Sequence, residues 1–225
     1  MSDAMDSRLT TTRRSLHAVA EGLLAGPQYR ATGTIRLAVR PGGFAASRPY
    51  GDCSVIAVDG ADLLVVRGDH RLQLPLTGTC GDLAAAAGLP VDRLDDVYPG
   101  GVRPEPSTRI DVDPGAAATL AAGWNLGDRA LRAFGAEVTG DPDPKPVLWP
   151  EHFDVALGVD GSDYGVSPGD DAIPEPYAYI SSATPNTGAF WNQPFGAARS
   201  LSDLPDLHAV IDFYRTGHAL AGQPR

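Results

Sequence analysis

The chain has 225 residues, enough to bury the core of one elaborate domain or of two small ones. Its formal net charge of −10 argues against nucleic acid and against an anionic membrane surface as partners, because neutralising phosphates requires a basic face. No apolar run approaches the roughly 20 residues that are needed to span a bilayer.

The first predicted element is an amphipathic helix from about Thr11 to Leu24, which Gly26-Pro27 would end. Arg13-Arg14 weakly resembles a twin-arginine export signal, but no continuous apolar segment and no clean cleavage site follow. The only two cysteines, Cys53 and Cys80, are interpreted as reduced thiols, since they cannot alone supply the four ligands of a zinc site. We therefore expect a cytoplasmic protein.

Strand patterns follow this helix. Thr34 to Val39 alternates between apolar and polar residues, and the runs Cys53–Val58 and Asp62–Val66 flank the hairpin pair Asp59-Gly60. Arg71 to Leu74 alternates again. These patterns predict an antiparallel meander with one face toward solvent.

Two helices are predicted next. Thr79 is an N-cap with Asp82 three residues later, and this short helix would stop at Gly88. Asp113-Pro114 is an N-cap followed by proline at the first helical position, and the helix that it opens would reach Phe134-Gly135.

Alternating prolines in residues 140–146 favour extended backbone and predict a linker. We therefore expect an α+β fold with two β-rich lobes of mainly antiparallel strands, each with packing helices. The first lobe would be residues 1–139. The second, residues 147–225, would be closed by a helix from about Pro205 to His218.

A polar cluster stands out in the second lobe. If a strand runs from Glu151, Phe153 and Val155 lie on its core face, because side chains alternate between faces. His152 and Asp154 would then share the opposite face, within reach of one ligand or water molecule.

The following segments would complete a cleft. An antiparallel strand from Tyr164 to Ser167 is predicted beside the first, and Tyr177 and Tyr179 share a face of a third strand. The loop between the second and third strands supplies Asp170 and Glu175. The loop from Thr184 to Asn192 is a candidate cover.

Four interpretations of this cluster stay open. In the structural one, His152 and Asp154 hold the proline-rich loop through hydrogen bonds. In the second, imidazole and carboxylates bind a divalent metal, with His208 or His218 as a distal ligand. In the third, Asp154 orients His152 as a general base, with Ser167 the nearest serine. In the fourth, aromatic residues that include Trp149 line a small-molecule pocket without catalysis.

Three segments carry a resemblance: Trp149-Pro-Glu-His-Phe-Asp154, Tyr164-Gly-Val-Ser-Pro-Gly-Asp170 and Pro174-Glu-Pro-Tyr-Ala-Tyr179. They resemble the signature of an uncharacterised family that is common in actinobacteria, most specifically across residues 146–215. The family has no assigned activity, so the resemblance implies one structural unit and no catalytic roles.

The function expected from the sequence is binding of a small molecule, or a structural role, centred on the His152/Asp154 cluster. The ligand-binding candidates are Trp149, His152, Asp154, Asp170, Glu175, Tyr177 and Tyr179. The alternative is a metal-assisted or His/Asp acid–base hydrolase. No catalytic residue, metal or cofactor is assigned, and neither nucleic acid nor a membrane is expected as a partner.

Overall fold

The computed structural model describes residues 2–182 and 187–221 and shows an α+β fold, as predicted. The helices are α1 (Ser2–Val19), α2 (Gly26–Thr32), α3 (Cys80–Ala87), α4 (Pro114–Thr139) and α5 (Leu207–Ala221). The strands, all paired antiparallel, are β1 (Leu37–Arg40), β2 (Gly43–Ala46), β3 (Val55–Asp59), β4 (Asp62–Arg67), β5 (His70–Pro75), β6 (Thr77–Thr79), β7 (Arg109–Asp111), β8 (Val147–Trp149), β9 (Asp154–Val159), β10 (Ser162–Ser167), β11 (Tyr177–Ser182) and β12 (Gly196–Ser200). No helix within the described ranges is long and apolar enough to cross a membrane.

The chain divides into two compact units. The first contains Met1–Ala122 and Leu148–Phe153, and the second contains Gly123–Val147 and Asp154–Arg225. Residues 140–146, predicted as a linker, lie inside the second unit. Separate lobes with boundaries at these residues stay a prediction.

The antiparallel pairing of the meander predicted for the first unit is confirmed, but its solvent-facing side is wrong for β3 and β4, where consecutive residues such as Ile56 and Ala57 are buried. Strands β1 to β5 pair in sequence order, and β8 pairs with the other edge of β1 through Leu148 and Leu37. The β3–β4 hairpin closes with Asp59 opposite Asp62, and Gly60 in the turn has φ +61°. Apolar side chains such as Ile56 are fully buried in this sheet.

The N-terminal helix departs most from the prediction, because it does not end at Gly26-Pro27. A π-helical segment, Ala20–Ala25, joins α1 to α2, and the Gly26 N–H bonds the carbonyl of Glu21. Pro27 has no N–H, so a proline inside a helix leaves backbone carbonyls of the preceding turn without a helical donor. Other segments supply donors: the Tyr50 hydroxyl reaches the Leu23 carbonyl at 2.6 Å.

The same π-helical segment offers a second carbonyl to the rest of the unit. The carbonyl of Gly22 accepts a hydrogen bond of 3.0 Å from the backbone N–H of Asp92. The helix then continues until Gly33, whose φ of +76° ends it in the left-handed conformation that suits glycine. Proline is therefore tolerated here because tertiary contacts bond the carbonyls that it leaves.

Both N-caps predicted from the sequence, Thr79 and Asp113, are confirmed. Thr79 and Asp82 form a reciprocal capping box at α3. The Asp113 carboxylate accepts from the N–H of Ala116 at 2.9 Å at the start of α4. The predicted end of α4 at Gly135 is wrong, since the helix continues to Thr139.

Close packing in the second unit explains two of the glycines of α4, Gly127 and Gly135. A Cβ at Gly127 would lie 2.8 Å from the side chain of Val166, and one at Gly135 would lie 2.6 Å from Leu157. Real Cβ atoms do not approach so closely, so any larger residue would push the helix off the strands. These glycines permit contact and do not terminate the helix.

In the second unit, β9, β10, β11 and β12 form a consecutive antiparallel run. The three-stranded arrangement predicted for β9 to β11 is confirmed, whereas β12 was not predicted. Helices α4 and α5 contribute an aromatic core: the rings of Phe134 and Tyr164 lie 4.6 Å apart, and those of Tyr164 and Tyr214 lie 5.7 Å apart. This core lies against the strands that carry three of the predicted site residues, Asp154, Tyr177 and Tyr179.

Candidate functional site

The shared strand face predicted for His152 and Asp154 is wrong, because His152 is not in a strand. Residues 151–153 form a turn in which the Phe153 N–H bonds the Trp149 carbonyl at 2.7 Å. Phe153 has φ +58°, and strand alternation begins only at Asp154. The His152 side chain is 73% exposed and its Nε2 lies 3.5 Å from the Glu151 carboxylate.

The predicted site residues divide between the two units. Trp149 and His152 belong to the first, and the five others belong to the second: Asp154, Asp170, Glu175, Tyr177 and Tyr179. Trp149 is half-buried, and the guanidinium of Arg36 lies 5.7 Å from the centre of its ring. The second unit is therefore where the cluster has to be sought.

Asp154 and Tyr179 form the first carboxylate–tyrosine pair of the second unit. Asp154 is 5% exposed, and the Tyr179 hydroxyl donates a short hydrogen bond to its carboxylate. Burial and then the nearby charge of Asp154 raise the pKa of Tyr179 well above its usual value, so this phenol stays protonated and donates. The Tyr179 ring lies over Gly165, its register partner in β10, where a Cβ would approach the ring to 2.5 Å.

Asp170 and Tyr177 form the second pair. The Tyr177 hydroxyl donates to Oδ2 of Asp170 at 2.7 Å, and Oδ1 accepts from the N–H groups of Ala172 and Ile173 at 2.6 and 2.7 Å. Burial, followed by the bond to Asp170, raises the pKa of Tyr177. The carboxylate therefore fastens the loop between β10 and β11 to the tyrosine.

The tyrosines lie on one face of β11, as predicted, with ring centres 6.3 Å apart. Ser167, the serine considered as a nucleophile, is buried, and its Oγ accepts from the N–H of Gly169 at 3.1 Å. The two distal histidines lie on α5, where His208 is exposed and His218 Nδ1 lies 3.2 Å from the Tyr164 hydroxyl. No group of three or more His, Cys, Asp or Glu side chains within the described residues is arranged to hold a metal ion.

A surface groove of about 380 Å³ lies beside Tyr177. We call it the groove and define it by six of its lining residues: Glu175, Tyr177, Asn192, Arg199, Ser200 and Asp203. Glu175 and Tyr177 were predicted as ligand-binding residues. The residues contributed by β12 and its flanking turns were missed, because the short strand Gly196-Ala-Ala-Arg-Ser200 contains no β-branched or aromatic residue.

The charged groups of the groove are not neutralised by each other. Arg199 donates to the carbonyls of Ala198 and Phe190 at 2.7 and 3.4 Å and stacks against the rings of Phe190 and Phe213. Glu175 and Asp203 are exposed. Within residues 2–182 and 187–221, none of these three charged side chains forms an ion pair.

The predicted cover over the cleft falls partly outside the described residues, since 183–186 are not among them. Residues 188–190 turn toward Trp191, whose N–H bonds the Gly188 carbonyl at 3.1 Å. Asn192 then lines the groove, and its side-chain oxygen accepts from the Ala198 N–H at 3.0 Å. The described part of this loop therefore forms one wall of the groove.

Comparisons with protein-family models, with curated proteins and with solved structures find no match for this chain. The resemblance stated from the sequence stays a prediction, and the function is argued from the residues themselves.

Proposed function

We propose that the second unit binds a small polar molecule in the groove. The observation that carries this proposal is the fixed position of Tyr177 at the groove, where its hydroxyl is bonded to a carboxylate that two backbone N–H groups also hold. A wall held in this way loses little conformational entropy when a ligand binds. The volume of about 380 Å³ lies in the range of small-molecule sites.

The side chains along the groove favour a polar ligand over an apolar one. Asn192 uses its oxygen on the Ala198 N–H, which leaves the two amide protons of its side chain as donors. Glu175 and Asp203 offer acceptor oxygens, and Arg199 uses two N–H groups on carbonyls out of the five that a guanidinium carries. A ligand with both acceptors and donors would satisfy these groups.

A matched pair of variants tests the proposal. The hydroxyls of Ser200 and Ser202 lie 2.8 Å apart, so replacing either residue removes this hydrogen bond, and replacing Ser200 also removes the bond that its hydroxyl accepts from the Ser202 N–H. Only Ser200 lines the groove. Ser200→Trp would fill the space, whereas Ser202→Trp would leave it open.

The measurement is ligand-observed NMR with a library of small carboxylates, amines, amino acids and sugars. We expect at least one class of compound to bind the wild type and Ser202→Trp, and to lose binding at least about tenfold in Ser200→Trp. The proposal fails if no compound binds, or if both variants bind like the wild type.

We also propose a cytoplasmic setting, supported by the two free cysteines, of which Cys80 is buried. Free thiols are typical of reducing compartments. The hydrolase alternative is the weaker proposal, since His152 lies in a turn, is exposed and has Glu151 as its neighbour.

A further inference from the structure

A loop in the first unit lies directly over a buried carboxylate. Glu21, in the π-helical segment, is 1% exposed. Its Oε1 accepts from the Tyr98 hydroxyl at 2.8 Å, and its Oε2 accepts from the backbone N–H groups of Val102 and Arg103 at 3.0 Å each. We call residues 98–104 the strap, because all three of these donors belong to it.

The backbone of the strap is shaped for this contact. Gly101 has φ +86°, and a Cβ there would overlap Oε1 of Glu21, so the backbone of Gly101 lies directly against the carboxylate. Arg103 has φ +48°, a left-handed conformation that is strained for a residue with a side chain. This strained conformation persists because it directs the N–H groups of Val102 and Arg103 at the same oxygen, Oε2 of Glu21.

The end of the strap also rests on the π-helical segment. Pro104 is buried against Gly22, where a Cβ would approach the proline ring to 2.8 Å. On the outer side of the strap, Val102 is 39% exposed, and among the described residues the Arg103 side chain bonds the Pro99 carbonyl and lies 3.4 Å from the Asp95 carboxylate. Three hydrogen bonds from the strap toward the interior converge on Glu21, beside the packing of Pro104 on Gly22.

We propose that the strap is a conformational device that opens as one unit, with the Glu21 carboxylate as its latch. Opening breaks three hydrogen bonds to one side chain and exposes the π-helical segment around Gly22. Local opening of this kind belongs to segments with few buried apolar contacts, and residues 99–103 of the strap, between the buried Tyr98 and Pro104, are all exposed. The core strands next to it do not have to separate.

The groups around Glu21 shift its pKa and make the opening of the strap depend on pH. Burial raises the pKa of Glu21 above its ordinary value of 4.5, and the nearby carboxylate of Asp95 acts in the same direction. The hydrogen bonds from Tyr98, Arg103 and Val102 lower it in part. His17, whose Nε2 lies 3.7 Å from Oε1, is held neutral by its own burial, which lowers its pKa to about 4.

These surroundings of Glu21 determine how the opening equilibrium of the strap changes with pH. In the open strap Glu21 meets water and its pKa returns toward 4.5, so the closed strap binds the proton more tightly. Closure is therefore favoured at low pH, and opening becomes easier as the pH rises from 4.5 through the pKa of the closed state. Each unit by which the two pKa values differ changes the opening equilibrium by about tenfold.

Amide hydrogen exchange of the full chain, measured by NMR between about pH 5 and about pH 8 and corrected for intrinsic rates, tests this. We expect the Val102 and Arg103 amides to open at least about tenfold more often than amides of β3, which is paired on both edges, and more often as the pH rises. Exchange of these two amides at the frequency of the β3 amides would overturn the proposal, and so would complete lack of protection.

Two variants identify the latch. Glu21→Gln keeps an acceptor oxygen but does not ionise, so its strap amides should open with no pH dependence beyond that of the core. Glu105→Gln, an equivalent change at an exposed position just past the strap, should behave like the wild type. If Glu21→Gln keeps the wild-type pH dependence, Glu21 is not the latch. If that variant does not fold, the wild-type pH series alone decides.

Discussion

The hydroxyl of Tyr177 lies 2.7 Å from Oδ2 of Asp170, and this bond joins strand β11 to the loop that precedes it. Removing the hydroxyl in Tyr177→Phe takes a donor from a carboxylate, which typically costs about 1.5–3 kcal/mol of unfolding free energy. Urea denaturation measures the loss. Tyr29→Phe is the control, since the Tyr29 hydroxyl has no hydrogen-bond partner among the described residues. Equal losses in the two variants would mean that the bond to Asp170 contributes nothing.

Alanine substitutions at the adjacent residues Gly101 and Gly100 should change the free energy of unfolding by different amounts. Gly101→Ala places a methyl group on Glu21 and forces alanine to φ +86°, so we expect it to lose about 2 kcal/mol or more of unfolding free energy. A Cβ at Gly100 meets nothing within 4 Å, so Gly100→Ala should change stability by less than about 1 kcal/mol. Thermal denaturation of both variants provides the comparison, and a neutral Gly101→Ala would contradict the geometry described for the strap.

The parts of the fold that were predictable depend on local chemistry. Thr79 and Asp82 cap α3 through bonds within three residues, and Asp59-Gly60 turns β3 into β4 with Gly60 at φ +61°. All the residues that form such a cap or turn lie within a few positions of each other in the chain. The sequence therefore predicts them well.

The continuous N-terminal helix was not predictable in this way. Pro27 ends most helices, and here the helix continues because Tyr50 and Asp92, both distant in the sequence, bond the carbonyls of Leu23 and Gly22. A pattern of local residue types contains no information about such partners. For the same reason, the contact between Glu21 and the strap could not be predicted from local residue types.

The candidate site was predicted in part. Tyr177 and Tyr179 share a face of β11 as predicted, because alternation along a strand is reliable, and Asp170 and Glu175 lie in the loop before this strand. His152 was misplaced because alternation was assumed to begin at Glu151. The turn at residues 151–153 could not be predicted from the residue types, because phenylalanine rarely adopts a positive φ.

Tyr50 tests the account of the helix that continues through Pro27. Tyr50→Phe would leave the buried carbonyl of Leu23 without its donor, at a cost of about 1–3 kcal/mol of unfolding free energy. Pro27→Ala supplies a backbone N–H in the same turn, so the cost of Tyr50→Phe should be smaller in that background. A double-mutant cycle by urea denaturation measures this coupling. If the cost is the same in both backgrounds, Tyr50 does not compensate for the proline.

His17 provides a prediction about acid stability. It is buried, stacks at 4.8 Å on Phe153 and bonds the Pro150 carbonyl at 2.5 Å through Nε2. Burial, the largest cause, lowers its pKa from 6.5 to about 4, so the folded protein binds this proton less tightly than the unfolded chain. The stability linked to His17 is therefore complete above pH 6.5 and is lost as the pH falls from 6.5 to about 4, by up to about 3 kcal/mol.

His17→Gln keeps a donor for the Pro150 carbonyl and cannot take up the proton, so its unfolding free energy should fall less than that of the wild type between about pH 7 and about pH 4. Glu21 acts in the opposite direction, because its raised pKa favours the folded state at low pH. The difference between the wild type and His17→Gln separates the two effects, since Glu21 is present in both. His70→Gln, at an exposed position, should follow the wild type. Parallel curves for the wild type and His17→Gln would show that protonation of His17 does not oppose folding.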